Sequence, residues 1–271
     1  MKNLIIDNTP IERYILGEGK EVFVKREDLC VSPPSPALAK LRGVHKRLLS
    51  LKELGVNLVG VLDTRVSKSA WGVAYLAKEL GIKVVAYYPH LKEYIEMPTN
   101  QKRCKEMGAE IYPLKGGRTA VLYSWAKKDI EKRGGYMMPM GLVVKESIDA
   151  VSKEAKLIPQ QYLGGSIVLC VGSGMTIAGV SLGIADKVKT IYGISAGMST
   201  ERQRKKIKVT GGFSLPKNVN LILPDGVGYY DVEKIETPFP SSPYYDKKAW
   251  AWMLKNYETI PKPLLFWNIG V

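Results

Sequence analysis

The feature that most constrains the fold is a repeated change between short apolar runs and segments with apolar residues at helical spacing. Such runs are typical of buried strands, and such spacing is typical of helices packed on a sheet. Strands are predicted near residues 22–25, 57–62, 82–88, 109–114, 136–138, 166–171, 190–194, 220–223 and 264–267. Helices are predicted near residues 41–54, 69–80, 98–108, 120–133, 148–158, 176–182 and 245–256. This alternation predicts an α/β fold with parallel sheets covered by helices on both faces.

The same pattern predicts two lobes. The compact series of strands and helices over residues 57–142 predicts a small α/β lobe, and residues 1–56 with 143–271 form a larger one. A chain of 271 residues can bury a core of that size. No linker rich in proline or serine separates the parts, which favours two lobes sharing one site.

The charge is unusual for a folded protein of ordinary composition. Lys and Arg number 40 against 26 Asp and Glu, giving a formal net charge of +14, which attracts polyanions and anionic substrates. The densest basic patch contains Arg202, Arg204, Lys205, Lys206 and Lys208. This patch is a candidate contact for a nucleic-acid backbone, and the alternative is a charged surface that water solvates.

Several classes of protein are excluded. The apolar run over residues 167–171 is far shorter than a membrane span, and the first residues do not form a secretory signal. Three scattered cysteines and two histidines, His45 and His90, do not form a disulfide scaffold or a metal site. The sequence therefore predicts a reduced, cytoplasmic protein without a metal.

A glycine-containing turn follows the predicted strand 166–171. Its sequence is Gly172-Ser173-Gly174-Met175-Thr176. Backbone N–H groups and two hydroxyls at the start of a helix suit a phosphate. The dinucleotide fingerprint needs a third glycine where Ile177 stands, which disfavours an NAD site. The alternative is a tight turn in which glycine only relieves crowding.

Lys40 stands at the start of a predicted helix, after a loop with three prolines. The helix dipole disfavours a cation at that end, and this favours the neutral amine that attacks an aldehyde. The alternative is an ordinary surface lysine.

Several segments, taken in order, resemble a known superfamily. They are "VFVKREDL", "ALAKLRGV", "VAYLAKELGIKVVAYYP" and "CKEMGAEIYPLKGG". They are similar to the tryptophan-synthase-β superfamily, the fold-type II enzymes that depend on pyridoxal phosphate. The later segments "LPDGVGYYD", "SPYYDKKAWAWM" and "PLLFWNIGV" resemble its aminocyclopropane-carboxylate deaminase and D-cysteine desulfhydrase branch. The resemblance spans nearly the whole chain.

The resemblance implies a two-lobed parallel-sheet fold, pyridoxal 5'-phosphate as cofactor, and roles for particular residues. Lys40 matches the lysine that forms the Schiff base, and residues 172–176 match the phosphate loop. Tyr245 matches a tyrosine that lies over the cofactor; the alternative is a packed aromatic. Ser67 and Ser69, at a predicted helix start, are candidates for the substrate carboxylate or, alternatively, plain N-caps.

Two positions depart from the family pattern. Lys68 stands where relatives have an asparagine that contacts the cofactor's ring oxygen. Asn268 falls where relatives have a serine or threonine facing the pyridine nitrogen. Both remain candidate cofactor contacts, and these departures disfavour ordinary amino-acid deamination.

Three functions follow from these observations. One is a lyase or deaminase that acts at the α-carbon of a small amino acid through Lys40. The second is an enzyme that modifies an amino-acid group attached to a nucleic-acid base, as in viral DNA hypermodification, in which case the compartment is the host cytoplasm. The third is a non-catalytic, cofactor-binding member of the family. A homodimer is expected in each case.

Overall fold

The computed structural model describes residues 4–90 and 96–270, with ten strands and eight α-helices in that part of the chain. The strands are β1 Ile11–Ile15, β2 Glu21–Arg26, β3 Leu58–Leu62, β4 Lys83–His90, β5 Glu110–Lys115, β6 Tyr136–Met137, β7 Ser166–Val171, β8 Thr190–Ser195, β9 Val219–Ile222 and β10 Leu264–Asn268. The helices are α1 Leu41–Glu53, α2 Ser69–Glu79, α3 Thr99–Glu106, α4 Thr119–Lys132, α5 Lys145–Lys156, α6 Met175–Ile184, α7 Thr200–Gly211 and α8 Asp246–Lys255.

The chain divides into two compact units. One consists of Met1–Ser32, Ala37–Gly43 and Lys145–Val271, and the other of Pro33–Pro36 and Val44–Val144. The predicted small lobe began at residue 57, whereas most of α1 has its contacts in the second unit. A helix that follows a long loop carries no sequence signal for the sheet on which it packs.

The first unit contains a six-stranded sheet in the order β1-β2-β10-β7-β8-β9. In this sheet order, the four neighbouring pairs that follow β1-β2 are all parallel. This confirms the predicted α/β class. The edge strand β1 pairs antiparallel with β2 and was not predicted, since IERYI is short and carries two charges.

Burial explains why β7 is a central strand. All six residues of SIVLCV are buried, as expected for a parallel strand covered on both faces. Val168 and Cys170 point towards a cluster that includes Trp250 of α8. Because alternate residues point to opposite faces, Val171 lies on the other side, where Ile177 of α6 packs beside it near Gly193.

The second unit contains a four-stranded parallel sheet in the order β5-β4-β3-β6. Its core joins Val85 and Tyr87 of β4 to Leu122 and Ile130 of α4. Among the described residues, no helix is long and apolar enough to cross a membrane, and no group of side chains could hold a metal ion. The three cysteines are buried and free.

The basic patch of the sequence is a helix, α7, which was not predicted. Its buried positions include Gln203 and Ile207, four residues apart. One apolar residue on that buried face is too weak a periodic signal to reveal a helix.

A cluster of buried charges joins β2, the start of α1 and α5. Lys25 Nζ lies 2.6 Å from Glu154 Oε1, and Arg42 Nη2 lies 3.0 Å from Glu27 Oε1. Arg42 Nη2 also lies 3.4 Å from Glu154 Oε2, and the Thr9 N–H donates to Glu154 Oε1 at 2.9 Å. All five residues are at most 2% exposed. Two cations thus neutralise two carboxylates in the interior.

The pKa of Glu154 reflects this pairing. Burial alone raises the pKa of Glu154, but the hydrogen bond and charge of Lys25, with the charge of Arg42, outweigh burial and hold the pKa below its ordinary value. A carboxyl group with a lowered pKa in the folded state stabilises the fold above its unfolded pKa. That contribution is lost as the pH falls through the folded-state pKa.

We expect Lys25→Met to lower the free energy of unfolding by about 3–5 kcal/mol, because it removes one partner from a buried ion pair. Glu21→Gln is the matched control, since it breaks the exposed pair of Arg13 and Glu21, whose side chains are 65% and 41% exposed. The control should cost less than about 1 kcal/mol. Urea unfolding measures both, and an equal loss in the two variants would contradict the role of the cluster.

Candidate active site

The turn between β7 and α6 has free hydrogen-bond donors. Gly174 is the N-cap of α6 with φ of 92°, and neither a side-chain cap nor an acidic residue occupies the first turn. In the described part of the chain, no acceptor takes the backbone N–H groups of residues 173–176. The turn is therefore a candidate anion site, because unpaired N–H groups at a helix N-terminus attract a phosphate.

Helix α7 fixes the shape of this turn. Gln203 Nε2 donates to the carbonyl of Val171 at 2.9 Å, to that of Gly172 at 3.4 Å and to Ser195 Oγ at 3.0 Å. A Cβ added to Gly174 would lie 2.6 Å from Ile207 Cγ1. Glycine is required here, because the space and the positive φ both exclude a side chain.

Tyr245 lies beside the same turn. A Cβ on Gly172 would lie 3.4 Å from Tyr245 Cε1, and the Tyr245 hydroxyl is 2.6 Å from that of Tyr229. Lys248, one turn further along α8, donates to the carbonyl of Gly228 at 2.7 Å, adjacent to Tyr229. Two phenol groups joined by a hydrogen bond therefore stand next to the candidate anion site.

The backbone of Lys40 is held by a hydrogen bond from α5. Ser147 Oγ donates to the Lys40 carbonyl at 2.9 Å, and the N–H of Gly43 donates to the same carbonyl at 3.1 Å. A Cβ on Gly43 would lie 2.1 Å from the Ser147 nitrogen, so only glycine allows this approach. Helix α5 packs in turn on α6, where a Cβ on Gly179 would lie 2.6 Å from Val151 Cβ. Lys40, which is half-buried, is thereby tied through α5 to the helix that begins at the anion site.

The second unit carries Ser67, Lys68 and Ser69 at the start of α2. The Ser67 hydroxyl donates to Ser69 Oγ at 3.2 Å, and Lys68 is the N-cap residue without a side-chain cap bond. The buried carboxylate of Asp63 accepts the Ala70 N–H at 2.7 Å. A carboxylate of the protein itself thus occupies one donor of this helix N-terminus.

Asn268 is engaged inside the first unit. Its Oδ1 accepts from Ser241 Oγ at 2.8 Å, and its Nδ2 donates to Asp28 Oδ1 at 3.0 Å and to the Pro240 carbonyl at 2.9 Å. The side chain is fully buried. The amide joins the end of β10 to residues 28, 240 and 241, and the cofactor contact of Asn268 stays a prediction.

These residues fit a phosphorylated aldehyde cofactor. The N–H groups of residues 173–176 would hold its phosphate, and Lys40, at the opening of α1, would hold its aldehyde carbon. The tyrosine pair stands on the same unit as both groups. The fold and these donors fit the class of α/β enzymes with a phosphate site at the carboxyl end of a parallel strand.

Comparison with known proteins identifies the family. The model for "Pyridoxal-phosphate dependent enzyme" matches residues 3–222, and the chain belongs to that family. The predicted resemblance and the predicted cofactor are thereby confirmed. The chain is an enzyme that depends on pyridoxal phosphate, and the non-catalytic alternative is set aside.

Individual relatives cover almost the whole chain. A protein of Pseudomonas phage M6 named glycyl-dTMP PLP-dependent decarboxylase is 35% identical over 282 residues, which is 98% of this chain and 100% of the relative. The solved structure of an ACC deaminase homologue matches with a TM-score of 0.81 at 22% identity, over 99% of this chain and 90% of that chain. The solved structure of a T.th. threonine deaminase matches with a TM-score of 0.69 at 16% identity, over 97% of this chain and 92% of that chain. The two solved structures support the fold alone.

Three residues at these sites were missed in the sequence. Gln203 could have been found by reading residues 200–211 as a helix, because Gln203 and Ile207 then share one face. Tyr229 lies within the segment "LPDGVGYYD", without a signal that singles it out. Asp63 reaches Ala70 only through the bend of the intervening loop, which no spacing rule predicts.

We expect Gly174→Ala to weaken retention of pyridoxal phosphate by at least about tenfold, roughly 1.4 kcal/mol, because the new Cβ displaces the turn from Ile207. Gly108→Ala is the matched control, with φ of 89° and nothing within 4 Å of the added Cβ. It imposes a similar backbone strain of about 1–2 kcal/mol far from the anion site. Equilibrium dialysis with the cofactor's absorbance measures retention, and equal retention in both variants would show that the turn is only structural.

Proposed function

We propose that this enzyme removes the carboxylate from an α-amino acid group carried on a nucleotide, as a step in DNA modification. The observation that carries this proposal is the end-to-end likeness to the phage glycyl-dTMP decarboxylase, at 35% identity. The formal net charge of +14 supports it, because a polyanionic substrate is drawn to a positive field.

Bound pyridoxal phosphate supplies an electron sink for cleavage of a bond at the α-carbon of an amino acid. In the proposed reaction, the bond between the α-carbon and the carboxylate breaks and carbon dioxide leaves. The amine is retained, and the α-carbon receives one proton in place of the carboxylate. Lys40 Nζ is the group assigned to hold the cofactor and, when released from it, to move this proton.

We assign a second role in proton transfer to the pair formed by Tyr229 and Tyr245. With its hydroxyl 2.6 Å from that of Tyr229, Tyr245 can donate a proton and be re-protonated by its neighbour. Its ring, which lies against Gly172, borders the space above the phosphate turn. This arrangement supports the predicted role of Tyr245 as a stacking residue or proton donor.

The charge at the start of α2 favours a reaction that removes the substrate carboxylate over one that keeps it bound. Ser67 and Ser69 remain the proposed contacts for the substrate carboxylate, but Asp63 already occupies the Ala70 N–H. Two carboxylates at one helix N-terminus repel each other. Release of the substrate carboxylate as neutral carbon dioxide relieves that repulsion, whereas deamination would leave it in place. Lys68, the cation beside these serines, is proposed to contact the cofactor or this carboxylate.

A second candidate function is deamination or another lyase reaction on a free small amino acid. The fold likeness to the ACC deaminase homologue, with a TM-score of 0.81, favours it. The two functions differ in their products, since a deaminase releases ammonia and keeps the carboxylate.

Incubation of the cofactor-loaded enzyme with glycyl-dTMP, and separately with free glycine, tests the proposal. We expect carbon dioxide and an amine-bearing nucleotide from glycyl-dTMP, and at least about a hundredfold lower rate with glycine, roughly 2.7 kcal/mol in the barrier. Mass spectrometry of the nucleotide and an ammonia assay measure both products. Ammonia from a free amino acid, with glycyl-dTMP left intact, would assign the enzyme to ordinary deamination.

The assembly and the compartment remain predictions. We propose a homodimer in the cytoplasm of the producing cell, which is the host cell if the source is viral. Light scattering of the purified holoenzyme tests whether the protein is a dimer.

A further inference from the structure

We propose that the exposed face of α7 binds the phosphate backbone of the DNA that carries the target nucleotide. The proposal rests on the proposed function and adds to it the polymer and the surface that holds it. The structure shows that this charged run is the helix α7, whereas the sequence showed only its charge.

Three cations form one row on α7. Arg202, Lys205 and Lys208 are exposed and stand three residues apart, so that they are neighbours on one helix surface. Within residues 4–90 and 96–270, none of the three forms an ion pair. Glu201 is the one acidic residue of the helix. Cations in such a row repel one another, and an anionic polymer relieves that repulsion.

The other two cations of the predicted patch differ from this row. Arg204 Nη2 donates to the Val219 carbonyl at 3.1 Å, which ties it to β9. Lys206 is half-buried, and burial lowers the pKa of its ammonium. The candidate contact is therefore reduced from five residues to three.

The length of the row suits a nucleic-acid backbone. Six residues of helix from Arg202 to Lys208 rise about 9 Å, at roughly 1.5 Å per residue. Each strand of duplex DNA carries about one charge per 3.4 Å of the helix axis, so the row spans roughly three phosphates of one strand. A single nucleotide monophosphate cannot engage all three cations at once.

The opposite face of α7 links this surface to the active site. Gln203 and Ile207, on the buried face, hold Gly172 and Gly174 of the phosphate turn. The width of one helix, about 10–12 Å with side chains, therefore separates the basic row from that turn. DNA bound along the row would bring a nucleotide close to the cofactor without contacting the turn itself.

The test compares two triple variants of the full holoenzyme. One is Arg202→Gln with Lys205→Gln and Lys208→Gln. The matched control is Lys52→Gln with Lys128→Gln and Lys132→Gln, which neutralises three exposed lysines of α1 and α4. Both variants lower the net charge equally, so a general effect of charge appears in both. Fluorescence anisotropy of a labelled, unmodified DNA duplex is measured at several salt concentrations, and the cofactor's absorbance confirms that each protein is loaded.

We expect the α7 variant to bind the duplex at least about tenfold more weakly at low salt. Its slope of log affinity against log salt should fall by about 0.9 for each lost phosphate contact, with a much smaller change in the control. Equal changes in both variants, or no binding of the duplex by the parent protein, would overturn the proposal. The proposed function is judged separately, because turnover of glycyl-dTMP does not require the duplex. An active enzyme that does not bind the duplex acts on the free nucleotide instead, and one whose duplex binding is equally weakened in both variants uses a surface other than α7.

Discussion

The buried ion cluster is the interaction on which the rest of the first unit depends. Lys25, Glu154, Arg42 and Glu27 neutralise one another in the interior and connect β2, α1 and α5. Removing one partner leaves a buried charge unpaired, which costs several kcal/mol, so these elements cannot separate independently. Arg42 lies two residues after Lys40, and the cluster therefore fixes the backbone that carries the Lys40 side chain.

The other side of the site is built by hydrogen bonds and close packing. Gln203 and Ile207 of α7 hold a turn whose own N–H groups have no acceptor in the described residues. These contacts hold the turn in place without a ligand, and a site held in advance loses less conformational entropy on binding. A single helix thus shapes the candidate phosphate site on one face and presents cations on the other.

Much of the fold could be predicted from the sequence, because its strands and helices differ in apolar period. The turn at residues 172–176 and Lys40 could be predicted as candidates because each stands at a helix start after a strand or a proline-rich loop. The edge strand β1 and helix α7 could not, since each has little apolar surface to reveal a period. Asn268 shows the other limit. Its position at the end of β10 predicts a cofactor contact, but no sequence pattern predicts the three partners that its amide has within the protein.

The central claim is that Lys40, held in place by the buried cluster, carries the cofactor. Borohydride reduction of the holoenzyme, followed by proteolysis and mass spectrometry, locates the pyridoxyl group on one lysine. We expect it on Lys40 alone, and Lys40→Ala should lose the cofactor's visible absorption band while keeping the fold. A pyridoxyl group on Lys68, or an unchanged absorption band in Lys40→Ala, would contradict the account.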